Sequence, residues 1–171
     1  GSPMYYIAEV MKKEFPEYKT VFVGPCMAKR LEAERNPNVD YVLIFEELQA
    51  AFDAAQINPA ALEADKFAVE SSAQGRRFPI SGGVAGAVQF VVGDKAEYKP
   101  LKIDGLTKDA VKNLKRYALK GLDDGCNMLE VMCCEGGCIA GPGCLSMPKK
   151  AAVVLEKYAA EGKNQKECEI H

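Results

Sequence analysis

The sequence predicts an α/β fold with a mainly parallel, four-stranded sheet flanked by helices. Three observations carry this. Short β-branched and aromatic runs alternate with segments of helical period along the whole chain. The run TVFVG is short, β-branched and aromatic, as expected of a buried parallel strand, and DYVLIF and MLEVM read as further strands. The connections between them are long enough to hold crossover helices.

Each element has its own signal. Met4 to Phe15 is an amphipathic helix stopped by Pro16. Thr20 to Gly24 is the first strand and ends in a Gly24-Pro25-Cys26 turn, after which Met27 to Glu34 opens a short helix. Asp40 to Phe45 is the second strand, followed by a helix from Glu46 to about Ala55. Asn58-Pro59 marks a further helix start, because proline suits the first helical turn. Ser71 to Arg77 is polar and reads as a loop; Ser81-Gly82-Gly83 is a turn, and VAGAVQFVV an apolar helix. Tyr98 to Ile103 is the third strand, turned at Asp104-Gly105. Thr107 caps a helix to about Leu119, since its hydroxyl can accept an orphan backbone N–H. Met128 to Met132 is the fourth strand, and Met147-Pro148 starts a last amphipathic helix to about Ala160. The polar tail, 162–171, is expected to be disordered, and Gly1-Ser2 has the look of a vector-derived pair.

The 171 residues suit a single domain, 1–171, with 48% hydrophobic and 27% charged side chains. A net charge of −2 with both signs mixed gives no basic face for nucleic acid. No apolar run approaches the roughly 20 residues needed to cross a bilayer, so no membrane partner is expected. Seven cysteines, odd in number and clustered, do not form the framework of a secreted disulfide domain. Thiols kept for metal or redox chemistry in a reducing cytoplasm are expected instead. Cys126 and Cys168 read equally well as small buried hydrophobes.

Four of the seven, Cys133, Cys134, Cys138 and Cys144, crowd into EVMCCEGGCIAGPGC, directly after the fourth strand. Cys26 follows the first strand, in VGPCMAKRLE. Ligands gather beyond the carboxyl ends of parallel strands, so both motifs are expected at one functional edge. Cys134 and Cys138 bracket Gly136 and Gly137, a spacing that lets one turn present two sulfurs, its amides left to hydrogen-bond sulfide. Zinc is the rival for such thiols, although the spacing differs from the usual zinc knuckle and the one histidine, His171, is terminal. Lys29 and Glu32 also have a plain reading as a solvated i, i+3 pair, and Met132 and Phe78 as core residues.

These residues carry a family resemblance. EVMCCEGGCIAGPG resembles the third signature motif of FeFe hydrogenases, and VGPCMAKRLE resembles the second. FPISGGVAGAV is similar to the stretch between them, and SPMYYIAEVMKKEFP to the helix after the first motif. The resemblance implies one lobe of an H-cluster domain. Cys26, Cys134 and Cys138 would ligate a 4Fe-4S cluster, Cys138 also bridging to a di-iron subcluster. Lys29 would contact a cyanide of that subcluster, and Pro3, Met4, Phe78 and Met132 would line its pocket. The implied activity is reversible splitting, or sensing, of dihydrogen, with Lys29 and Cys138 closest to the chemistry. Implied partners are protons and dihydrogen, ferredoxin-like electron carriers or upstream iron–sulfur domains, and the N-terminal lobe of the same protein. The family's first motif, with the fourth cluster ligand, is not among these residues, so the chain alone is expected to be inactive and to expose apolar surface. Gly24, Cys133, Pro142 and Cys144 depart from the catalytic pattern and resemble divergent, sensory-type branches. The alternative is a non-hydrogenase iron–sulfur protein similar to cluster-assembly homologues, with no di-iron unit; a metal-free redox or partner-binding module is a third reading.

Overall fold

The structure, a computed structural model, describes residues 1–164 except Lys66, Ala68 and Val69. Cys168, His171 and most of the tail expected to be disordered lie outside the described residues. The chain divides into two compact units, one of residues 1–64 with 141–145, the other of residues 65–140 with 146–171.

In the first unit, α1 (Pro3–Glu14) begins where the Ser2 hydroxyl accepts the Tyr5 N–H and proline occupies the first turn. The strands β1 (Val21–Val23) and β2 (Tyr41–Leu43) pair in parallel, Val21 opposite Tyr41 and Val23 opposite Leu43. The crossover between them holds α2 (Ala28–Ala33). Helix α3 (Phe45–Ala54) follows β2, with the Glu47 carboxylate reaching back to the Ile44 N–H at 2.9 Å. Met4, Ala8 and Val39 form the buried core, with Phe22, Ala33 and Val42 packed around it. Asp40 ties this core to the sheet: its carboxylate accepts from Lys12 of α1 and from the Thr20 N–H, each at 2.8 Å. Tyr6, Ile7, Leu31 and Tyr41 of this unit remain exposed.

In the second unit, β3 (Pro100–Asp104) and β4 (Met128–Met132) pair in parallel over five residues, from Pro100 opposite Met128 to Asp104 opposite Met132. Ahead of β3 come α4 (Ala73–Arg76) and α5 (Gly83–Val92). The crossover from β3 to β4 holds α6 (Lys108–Lys120), where the Thr107 hydroxyl accepts the Ala110 N–H at 3.1 Å as the sequence predicts. Helix α7 (Pro148–Ala160) follows the cysteine segment. The short tail stretch that is described is held down, with Lys163 O accepting the Ala73 N–H at 2.8 Å.

Three local expectations differ from what is seen. The described strands form two two-stranded parallel sheets, where the sequence predicts one sheet of four. The pattern of a run shows that it suits a pleated surface but not which strands pair. Within 71–77, expected as a loop, the Ser72 hydroxyl accepts the Gly75 N–H at 3.0 Å and starts the single helical turn of α4. Asn58-Pro59 starts only a 3₁₀ turn, Pro59–Ala61. Among the described residues, no helix is long and apolar enough to cross a membrane.

Candidate functional site

Both cysteine motifs follow the carboxyl end of a strand, each within its own unit. In the first unit, Gly24 N–H continues the ladder to Leu43 O at 3.1 Å, and the chain then turns through Pro25 to Cys26, which is half-buried. The Cys26 carbonyl accepts the Lys29 N–H at 3.2 Å, folding the segment into α2. Lys29 is half-buried and donates to Glu32 one turn along, and the other oxygen of that carboxylate accepts the Ser2 hydroxyl. Burial alone would raise the Glu32 pKa, but the hydrogen bonds from Lys29 and Ser2 outweigh it and hold the carboxyl below its usual range. Of the residues expected to line a pocket, Pro3 is exposed in the first turn of α1, and Met4 is 3% exposed in the unit's core.

Residues 141–145 belong to this same unit. Gly143 N–H donates to Pro25 O at 3.0 Å, and a Cβ on Gly143 would fall 2.7 Å from the Ile44 Cβ. The glycine is therefore required by close packing. Cys144 sits next to it, and burial pushes its thiol pKa up.

In the second unit the pairing of β3 with β4 runs on past the strands: Gly105 N–H donates to Met132 O and Leu106 N–H to Cys133 O. Met132 and Cys134 are half-buried and Cys133 is exposed. From Cys134 the chain makes a tight turn closed by Gly137 N–H to Cys134 O at 3.0 Å, with Gly136 at φ +90°, the conformation a type II turn needs at its third residue. Cys138, also half-buried, begins a 3₁₀ turn.

This cysteine loop is gripped on two sides. On one side, the Asp104 carboxylate accepts the Gly136 N–H at 2.7 Å. On the other, Gly137 forms an antiparallel bridge with Ile80, Ser81 N–H donates to Gly136 O and Ile139 N–H to Pro79 O. Gly137 has φ +93°, and a Cβ there would lie 2.5 Å from Pro79 O. The amides expected to remain for sulfide are thus partly used: those of Gly136 and Gly137 bond to the protein itself. Phe78, half-buried, lies just ahead of this clamped segment.

Sequence reasoning gives no role to one buried acid, Glu130. It lies on β4, is 6% exposed, and its two oxygens accept the Gly82 and Ala85 N–H groups, each at 2.7 Å. It caps the N-terminus of α5, where unpaired donors and the helix dipole favour an acceptor. The available signal is a lone acid inside an apolar strand; its partners are too distant in sequence to read.

Chemically, the half-buried thiols of Cys26, Cys134 and Cys138 are soft donors that suit iron–sulfur ligation and not a hard cation. Cys134 and Cys138 share one locked loop, and Cys26 belongs to the other unit. Among the described residues, no group of three or more His, Cys, Asp or Glu is gathered so as to hold a metal ion.

The chain is similar to known proteins. The family described as iron only hydrogenase large subunit, C-terminal domain, matches residues 1–142. The chain is 27% identical over 173 aligned positions to the NADP-reducing hydrogenase subunit HndD of Solidesulfovibrio fructosivorans, covering 81% of this chain and 30% of that protein. The solved HydA(deltaEFG) structure, which concerns stepwise [FeFe]-hydrogenase H-cluster assembly, superposes with a TM-score of 0.59 at 15% identity, covering 92% of this chain and 58% of that one. The last likeness concerns the fold alone. The chain spans less than a third of the HndD protein it matches.

Proposed function

Since the chain belongs to the family formed by the C-terminal domains of iron-only hydrogenase large subunits, we propose that it forms part of an H-cluster domain in a protein that splits, forms or senses dihydrogen. The observation that carries this reading is the Cys134–Cys138 loop, two thiols set at either end of a glycine turn that the protein clamps from both sides. Cys134, Cys138 and Cys26 would hold the 4Fe-4S part of the group, with Cys138 next to the di-iron part. Met132, Phe78, Pro3 and Met4 would shape its surroundings and Lys29 would face it as a cationic donor. When bound, such a group supplies reversible heterolysis of dihydrogen into protons and electrons.

This chain's own contribution is to bind and orient. The turn at Gly136 and Gly137 sets the backbone from which the two thiols would meet a metal, and both cysteines are half-buried. Electron carriers or further iron–sulfur domains, and the remainder of the domain, would complete the whole protein; the relative HndD is by its name a subunit. The test is Cys134→Ala in the full-length protein after anaerobic maturation. Loss of iron and of the cluster's EPR signal is expected; unchanged iron and an unchanged signal would refute the ligand assignment.

A second reading, an iron–sulfur protein without a di-iron unit, draws support from one contact. Lys29 is engaged by Glu32, an arrangement that needs no cyanide to explain it. Infrared bands of bound cyanide and carbon monoxide in the matured protein would exclude this second reading.

A further inference from the structure

The geometry points to Glu130 as the residue that positions the two loop thiols, acting through backbone and not by touching them. It stands four residues before Cys134 on the strand that delivers the cysteine loop, yet its side chain is spent on a different element. Followed through hydrogen bonds, the path closes on itself. From Glu130, β4 runs into Cys133 and the turn at 134–137. The turn is bridged at Gly137 to Ile80, and Gly136 O takes the Ser81 N–H. From Ser81 the chain passes to Gly82, whose N–H returns to Glu130. The loop thus hangs between its own strand and residues 79–81, and Glu130 fixes the distance between those two supports.

Chemistry narrows what can replace it. Both carboxylate oxygens accept, one from the turn at Gly82 and one from the first turn of α5 at Ala85. Glutamine has one acceptor oxygen, and its amide would point N–H at N–H on the other side. A buried donor left facing a donor is expelled or rearranged, and the turn at 81–83 shifts with it. Asp104 on one side of the loop and the Ile80 bridge on the other would remain, so the loop is expected to loosen without unfolding.

The test compares the 171-residue chain, metal-free and reduced, with Glu130→Gln and Glu130→Ala. Hydrogen exchange is followed at 82–86 and at 133–140, together with the alkylation rates of Cys134, Cys138 and Cys126. In Glu130→Gln, exchange is expected to quicken in both segments, and Cys134 and Cys138 to alkylate several-fold faster, while Cys126 keeps its rate. Faster exchange confined to 82–86, with unchanged alkylation of Cys134 and Cys138, would overturn the proposal, since Glu130 would then cap α5 and nothing more. An equal rise at Cys126 would also overturn it, because general loosening needs no positioning role. If Glu130→Ala fails to fold, the near-isosteric Gln variant alone decides. The thiol readout does not depend on iron, although its meaning for a cluster rests on the function proposed above. A protected loop in a wild-type protein that takes up no iron after maturation would overturn that function and leave the role of Glu130 standing.

Discussion

Lys29 and Glu32 form an ion pair across one turn of α2, and Ser2 donates to the same carboxylate from the start of α1. The carboxyl therefore titrates below its ordinary 4.5 in the folded protein. A folded-state pKa lower than the unfolded one stabilises the fold above the unfolded value and loses that contribution as pH falls through the folded value. In Lys29→Met the largest donor is gone, and the Glu32 titration followed by NMR is expected to move up toward or beyond 4.5. An unmoved titration would show that Ser2 and not Lys29 sets the carboxyl.

Asp40 is held well below the usual carboxylate range by hydrogen bonds from Lys12, the Thr20 N–H and Lys19. Its stabilisation is complete above its ordinary 3.8 and declines as pH falls from there toward the much lower folded value. Asp40→Asn is expected to lower the urea midpoint at pH 7, with the gap to wild type narrower at pH 3. Equal gaps at both values would mean that the ion pairs, though well formed, contribute nothing that titrates.

Gly136 and Gly137 share positive φ but not surroundings: nothing lies within 4 Å of a Cβ on Gly136, whereas one on Gly137 would strike Pro79 O at 2.5 Å. Gly136→Ala is expected to cost only the left-handed backbone penalty, about 1–2 kcal/mol. Gly137→Ala adds a backbone clash and breaks the bridge to Ile80, so it should cost clearly more and speed the alkylation of Cys134 and Cys138. Denaturant midpoints of the two variants decide the order. Equal losses would mean that the contacts around Gly137 do not clamp this loop.

The Tyr98 hydroxyl donates to Ala85 O at 2.8 Å and lies 2.5 Å from the Met128 sulfur, joining α5 to β4 beside Glu130. Burial and the neighbouring Glu130 charge push its phenol pKa up. Tyr98→Phe removes the hydroxyl and keeps the ring, and about 1 kcal/mol should be lost in urea unfolding. A neutral outcome would mean that the ring alone fastens this contact.

Local chemistry is legible in the sequence where it is self-contained. The limits of β4, the Thr107 cap and the proline start of α7 all follow from neighbouring residues. The two cysteine motifs are legible too, since their order and spacing resemble a family whose membership the comparison shows. What escapes is non-local. Val21 to Val23 and Met128 to Met132 both read as strands, but nothing in either run says that they lie in separate sheets. Glu130 is visible as an oddity inside MLEVM, yet Gly82 and Ala85 stand more than forty residues upstream. The single turn of α4 is too short for any periodicity, and only Ser72 betrays it.

Residues 141–145 pack with residues 1–64, and Gly143 reaches the Pro25 carbonyl. This has a consequence for synthesis on the ribosome, where chains generally fold from the amino terminus as they emerge. The first unit is translated early but lacks one of its own pieces until everything through Leu145 has left the exit tunnel. Until then the Pro25 carbonyl beside Cys26 lacks the Gly143 N–H, and Ile44 lacks its contact with Gly143. A nascent chain stalled before Gly141 would hold this half open, and the turn bearing Cys26 would be completed only after Cys134 and Cys138 had already been made.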